Sequence, residues 1–353
     1  MEIGFKSSKI RRVKIRINKI VQLFRHSCKR TTCSHKFLSC TQENTTLSTL
    51  KSNLLLFITA IIWGLAFVAQ RAGMEDIGPF AFNGIRFALG SLSLLPLIYF
   101  QRKSRPSVKK INRKNILQAG LFTGLMLFGG ASLQQVGMVY TTAGNGGFIT
   151  SLYVIIVPVL GLFWRHKISK LTWIGGFLAA LGLYFLSVTD GFNLAFGDGL
   201  VLLSAFFWAG HVLLIGHFSK KVDVLVLAAL QFAVVAVLSL VVSSFIETTH
   251  WGNIQAAALP ILYGGLMSVG LAYTLQVIAQ QKARPAHAAI ILSLESLFAA
   301  IGGIVILNEP LSLRIGIGGI LMLTGVIVSQ LKIPSPNNKA KQKTGHCTNK
   351  VKQ

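Results

Sequence analysis

From Leu54 to Leu331 the chain alternates long apolar runs with short polar breaks. The runs fall at 54–71, 79–100, 115–135, 144–163, 172–188, 199–217, 224–245, 256–280, 285–306 and 313–331. Each is about 17 to 25 residues, the length an α-helix needs to cross about 30 Å of hydrocarbon. The pattern predicts an all-α membrane protein with ten transmembrane helices. The second five runs echo the first. Trp63 and Trp208 stand 145 positions apart, as do Arg86-Phe87-Ala88 and Gln231-Phe232-Ala233. Gly124-Leu125-Met126 precedes Gly265-Leu266-Met267 by 141, Gln135-Val136 precedes Gln276-Val277 by 141, and Ile174-Gly175-Gly176 precedes Ile317-Gly318-Gly319 by 143. Matches in order at a nearly constant offset argue for internal duplication. Five crossings per copy is an odd number, so the second copy enters the bilayer from the opposite face. Two inverted five-helix repeats are the architecture of secondary transporters.

Charge places the ends. Of 35 Lys and Arg, 32 lie in the two tails and in the loops near 101–114, 164–171, 217–223 and 281–284; the alternate loops carry none. Cytoplasmic loops hold the positive excess, so both termini are expected in the cytoplasm, with the chain embedded in the cell (inner) membrane. Glu75, Asp76, Asp190, Asp198, Glu247 and Glu309 then fall on the outer side. The expected organisation is a basic tail at 1–52, a first repeat at 53–188, a second at 198–331 and a basic tail at 332–353. The net charge of +25 does not imply nucleic acid, because the bases are spread over tails and alternate loops and form no basic face with stacking aromatics. Within the first tail, Ile10, Val13, Ile17, Ile20, Val21 and Phe24 recur at helical spacing opposite Arg11, Arg12, Lys14, Arg16, Lys19 and Arg25. That is either a basic amphipathic helix lying on an anionic leaflet or an unstructured extension. Cys28, Cys33, Cys40 and Cys347 all sit in the tails; their spacing fits no paired-ligand zinc pattern, and no metal or cofactor is expected.

Polar residues inside the runs are the candidate site. Glu295 lies about ten residues into the ninth run, where a carboxylate costs about 2.5–3.5 kcal/mol to insert; it either couples protons or pairs with a cationic group, or serves packing alone. Arg86 lies about seven residues into the second run and offers a fork of donors for an anionic group, with snorkelling as the structural alternative. Its repeat mate is Gln231, so the pocket is chemically asymmetric. His211 and His287 are either ligand or proton-relay groups or histidines satisfied within the packing. Trp63, Trp208, Tyr153 and Tyr273 lie away from the interfacial belts and can wall a small-molecule pocket. Gln134, Gln135, Asn145, Thr150, Gln276 and Gln280 add hydrogen-bonding capacity that a wet path would satisfy. Candidate binding residues are therefore Arg86, Glu295, Trp63, Trp208, Tyr273, Asn145, Tyr153, His211 and Gln276. No catalytic constellation and no phosphate-binding loop occurs, so neither an enzyme nor an ATP-driven pump is expected; a membrane-embedded enzyme or scaffold is the rival reading.

Several of these segments carry a resemblance. Trp63-Gly64, the stretch from Tyr140 to Tyr153 around Gly144-Asn145-Gly146-Gly147, Leu294-Glu295-Ser296, and Leu307-Asn308-Glu309-Pro310-Leu311-Ser312 resemble the EamA-domain permeases of the drug/metabolite transporter superfamily. The chain departs from the family pattern at Trp164-Arg165-His166-Lys167 and at Ser296. The resemblance covers residues 53–331. It implies a ten-helix carrier working by alternating access, with a small polar metabolite such as an amino acid or a drug held between the repeats. The oligomeric state is left open.

Overall fold

The computed structural model describes residues 36–104, 113–141, 143–163, 168–187, 196–307 and 313–331, with side chains from Thr49 onward except at a few positions, Asn145 among them. The amphipathic segment of the first tail, Cys28, Cys33, Cys347 and the basic end of the chain lie outside these residues, while Cys40 falls on the first helix with its side chain outside the description. Among the described residues there is no strand. The helices are α1 Lys36–Gly73, α2 Pro79–Ser104, α3 Arg113–Tyr140, α4 Ala143–Ser151, α5 Tyr153–Phe163, α6 Lys170–Ser187, α7 Phe196–Phe218, α8 Val224–Ile246, α9 Trp251–Ala256, α10 Ala258–Leu262, a π-helical stretch Tyr263–Tyr273, α11 Thr274–Gln280, α12 Pro285–Leu292, α13 Glu295–Leu307 and α14 Leu313–Gln330.

Eight stretches are long and apolar enough to cross a membrane: Thr49–Gly73, Pro79–Gln101, Arg113–Tyr140, Gly146–Phe163, Phe196–Phe218, Val224–Ile246, Ala258–Gln280 and Pro285–Ile306. The fifth and tenth runs of the sequence pattern form shorter apolar helices, Lys170–Phe185 and Gly316–Gln330. At a rise of about 1.5 Å per residue they reach only about 23 Å. Ten crossings are thus expected from sequence, and eight meet the length criterion among the described residues.

The two short helices pack on each other. A Cβ at Gly175 would lie 2.5 Å from the Gly325 carbonyl oxygen, and one at Gly182 would lie 2.6 Å from that of Gly318. α6 and α14 therefore run antiparallel, with backbones at the distance only glycine permits. The contact is also reciprocal, since Gly175 and Gly318, like Gly182 and Gly325, are repeat mates 143 apart. Two more like-with-like contacts share this property. The rings of Phe87 and Phe232, mates on α2 and α8, stand 6.1 Å apart. Ser151 Oγ, ending α4, donates to the carbonyl of Ser293, its mate 142 positions on, at 3.4 Å. Mates that touch each other lie on a pseudo-two-fold axis.

Two of the long stretches are broken. That of the fourth run is interrupted at Leu152, between α4 and α5, and that of the ninth run at Ser293-Leu294, between α12 and α13. Both breaks fall on the same Ser-Leu pair of the repeat. There the ladder tightens to three-residue bonds, Leu152 N to Ile149 O at 3.2 Å and Leu294 N to Ile291 O at 3.2 Å. Hydroxyls take up carbonyls the ladder releases: Ser296 Oγ donates to Ser293 O at 2.7 Å, beside the bond from Ser151. Irregular backbone at membrane depth persists where such groups re-satisfy it. The stretch of the eighth run, Ala258–Gln280, instead widens into the π-helical turn, which presents the Ser268 carbonyl to Trp63 Nε1 at 3.3 Å and the Ala272 carbonyl to Thr59 Oγ1 at 3.2 Å.

Candidate functional site

Where the breaks, the π-helical turn and the axis meet, a cavity is lined by Trp63, Gln70, Arg86, Gln134, Tyr153, Trp208, Ser268, Tyr273, Gln276 and Glu295, with Ala66, Phe67, Thr150, Val212 and Leu292 filling its walls. α1 approaches the Glu295 turn closely because position 64 is glycine: a Cβ there would lie 2.6 Å from the Glu295 carbonyl oxygen. Tyr273 stands at the centre. The mates Trp63 and Trp208 flank it at 4.5 and 6.0 Å between ring centroids, and the mates Phe87 and Phe232 at 6.0 and 5.9 Å. The mate of Tyr273, at the 141-residue offset, is Ser132. One large and one small residue at this pair lets a single ring occupy the axis.

The polar groups are only partly satisfied by the protein. Arg86 is 3 % exposed. Its Nε donates to Asn83 Oδ1 at 2.9 Å, and its guanidinium lies 5.2 Å from the ring centres of both Phe82 and Phe87. Among the described residues no carboxylate pairs with it. Glu295 is 4 % exposed and accepts a long bond, 3.4 Å, from Ser151 Oγ. The Tyr153 hydroxyl lies next to the same carboxyl but meets hydrogen-bond geometry with no atom. Neither end of the Gln276 amide finds a partner. A buried cation, a buried carboxyl and orphaned amide groups on one cavity leave binding capacity for something from outside the chain. The opposite wall is better tied: Trp208 Nε1 donates to Gln134 Oε1 at 2.8 Å, and Gln134 Nε2 to Gln70 Oε1 at 3.2 Å. The cavity volume is about 30 Å³, room for about two waters, so the site is closed down in this state.

Seven of the nine sequence candidates line this cavity: Trp63, Arg86, Tyr153, Trp208, Tyr273, Gln276 and Glu295. His211 lies behind it, edge-on to Trp208 and Tyr273, with Nε2 on Gln231 Oε1 at 3.0 Å. The side chain of Asn145 is outside the described residues. His287 is elsewhere, its Nε2 3.0 Å from Thr172 Oγ1. The sequence reading had not placed Gln70, Ser151 and Ser268 at the site. Ser151 carried one available signal, its match to Ser293 within Ser-Leu.

A bundle of apolar helices around a polar central cavity defines a multi-pass membrane transporter. The chain belongs to the EamA-like transporter family, whose model matches residues 50–188 and 195–330. It is 33% identical to an uncharacterized transporter of Archaeoglobus fulgidus over 285 residues, covering 80% of this chain and 87% of that one. It is 25% identical to the uncharacterized transporter YoaV of Bacillus subtilis, covering 76% and 93%. A solved crystal structure shares the fold at a TM-score of 0.66 and 16% identity, covering 79% of this chain and 96% of its own.

Proposed function

We propose that this protein is a secondary carrier of ten crossings, built as two inverted repeats, that moves a small polar metabolite by alternating access. The carrying observation is the central cavity, where Arg86 and Glu295 lie buried without ionic partners. A substrate with both an anionic and a protonated amino group, as in an amino acid, complements them; when none is bound, a proton on Glu295 would neutralise the carboxyl. The ten-crossing reading is supported by the antiparallel, reciprocal contact of α6 and α14, which is what an axis in the membrane plane requires of inverted copies. The distribution of Lys and Arg over alternate loops supports a reading with both ends of the chain in the cytoplasm and the protein in the cell membrane. The broken stretches of the fourth and ninth runs supply hinges at the cavity floor.

The test is flux of an amino-acid panel into proteoliposomes under an imposed proton gradient. We expect saturable, counterflow-capable transport of at least one zwitterionic compound. Arg86→Gln should reduce it more than a hundredfold while the protein still inserts, consistent with loss of a desolvated charge contact worth about 3 kcal/mol or more. Glu295→Gln should leave residual transport that no longer responds to the gradient. Wild-type rates in the Arg86 variant, with the pH response intact in the Glu295 variant, would refute the assignment.

A further inference from the structure

A second cavity, about 320 Å³, lies at the end of the bundle that carries the basic loops. Unlike the central one, it is large enough to admit a small metabolite. Four elements converge on it: Val157 and Gly161 from α5, Ser169 and Thr172 from the start of α6, Leu213 from α7 with Lys220 just beyond it, and Arg284, Pro285, Ala286 and His287 at the start of α12. Its floor is apolar and its rim is cationic. Lys220 and Arg284 are exposed, and no Asp or Glu among the described residues lines the cavity. The first turn of α12 adds donors: Arg284, its N-cap, makes no side-chain cap bond, and Pro285 occupies the first helical position. The amides of Ala286 and His287, both lining residues, are therefore left without the cap acceptor that usually meets such groups. Ser169 Oγ and Thr172 Oγ1, 2.8 Å apart, complete a hydroxyl pair at the same wall, with His287 3.0 Å from Thr172.

The repeat gives a built-in comparison. At the offsets that relate the two halves, Lys220 corresponds to Glu75, Arg284 to Thr142 and His287 to Asn145. The corresponding positions in the first repeat thus carry none of these cations, and the first of them is an acid. We infer that this cavity is an anion-collecting vestibule: it binds small molecules through a carboxylate, phosphate or sulfonate group, held by Lys220, Arg284 and the first turn of α12. Its floor, on α5 and α7, continues toward the central cavity through Leu213 and its neighbour Val212, which lines the latter. The carrier reading enters only in making this the cytoplasmic mouth. On that reading the field concentrates anionic substrate on the cytoplasmic side and favours release at the acidic outer side, which suits export.

The same oxyanion chemistry is available from a soluble metabolite and from an anionic lipid headgroup, and one experiment separates them without requiring transport. In a background with Cys28, Cys33, Cys40 and Cys347 replaced by serine, Ala286→Cys places a thiol in the vestibule, and Gly161→Cys serves if that variant does not fold. Its modification rate by anionic sulfonatoethyl methanethiosulfonate is compared with that by the cationic trimethylammonioethyl reagent, each normalised to 2-mercaptoethanol. Any change in thiolate fraction cancels in the ratio. Two nearby cations in a watery cleft should favour the anionic reagent about tenfold, and Lys220→Gln with Arg284→Gln should bring the ratio within about twofold of unity. No preference in the parent, or an unchanged one in the double variant, overturns the inference. Protection by 10 mM inorganic phosphate in phosphatidylcholine vesicles assigns a soluble anion. Protection only in vesicles containing phosphatidylglycerol assigns a headgroup, and protection by neither also overturns the inference. A protein that moves no substrate would still give these rates, so failure of the carrier reading is told apart from failure of the vestibule.

Discussion

Arg86 and Glu295 were legible because a charge inside an apolar run carries a known cost, and that cost has to be met by something inside the bundle. Trp63, Trp208 and Tyr273 were legible through the repeat and their depth. What could not be read is which of several ordinary polar residues turn inward. Gln70, Ser151 and Ser268 acquire meaning only through partners 64, 144 and 205 positions away, and His211 was expected in the cavity wall but lies behind it, with Nε2 on Gln231 and its ring edge-on to Trp208 and Tyr273. Glu247 is a further case. α8 caps itself, with Asp223 Oδ1 accepting from Leu225 N and Val226 N. Its mate position, at the start of α2, is Gly78, which has no side chain to do so. Glu247 from the far end of α8 takes over, accepting from Phe80 N at 2.8 Å and Ala81 N at 2.7 Å. Glu247→Ala should therefore cost about 1 kcal/mol, the ordinary value of an N-cap, and lower the thermal unfolding midpoint in detergent. Thr248→Ala, one position on and exposed, should not.

At the scale of elements, hydropathy marked all eight stretches that are long and apolar enough to cross a membrane among the described residues but could not see the interruptions within them. A Ser-Leu pair in an apolar run changes mean hydropathy little, so the breaks at Leu152 and Ser293-Leu294 are silent in the pattern. The π-helical turn from Tyr263 to Tyr273 is silent for the same reason. The fifth and tenth runs showed the reverse. They looked like full spans by composition, yet the described helices are short, and close backbone packing joins them. That seam makes a sharp prediction. A Cβ at Gly182 would sit 2.6 Å from the Gly318 carbonyl oxygen and 2.8 Å from Met322 N, whereas the nearest atom to one at Gly176 is 4.0 Å away. Gly182→Leu must push the helices apart and should destabilise by about 1–3 kcal/mol or more, the range of overpacked cores. Gly176→Ala should be neutral or slightly stabilising, because alanine favours the helix where space exists. Thermal melts of the two variants in the same detergent decide it; equal midpoints would mean that the seam yields freely.

At the scale of the whole bundle, the repeats are alike in topology but not in the state of their two ends. Val157 and Ala299 are mates 142 positions apart. Both are buried, at 1 % and 3 % exposure, but Val157 forms the floor of the vestibule, while Ala299 is packed with Phe67, Met138 and Ala143 in a cluster at the opposite end. A Cβ at Gly146 would lie 2.3 Å from Met138 Sδ, so glycine there lets the methionine fill that end. Equivalent parts of the two copies thus occupy different environments at the same time. In a carrier with inverted repeats, the opposite state is reached when the copies exchange those environments. The vestibule would close around Val157 as the plug at Ala299 opens. The test labels two single-cysteine variants in the cysteine-free background, Val157→Cys and Ala299→Cys, with a small neutral thiol reagent. Without substrate, Val157→Cys, at the floor of a cavity, should react faster than Ala299→Cys, which neither cavity reaches among the described residues. A transported compound that shifts the equilibrium toward the other state should slow the first and speed the second together, by the same population shift. Movement of one rate without the other would mean that the asymmetry between the ends is fixed in the structure and is not one half of a cycle.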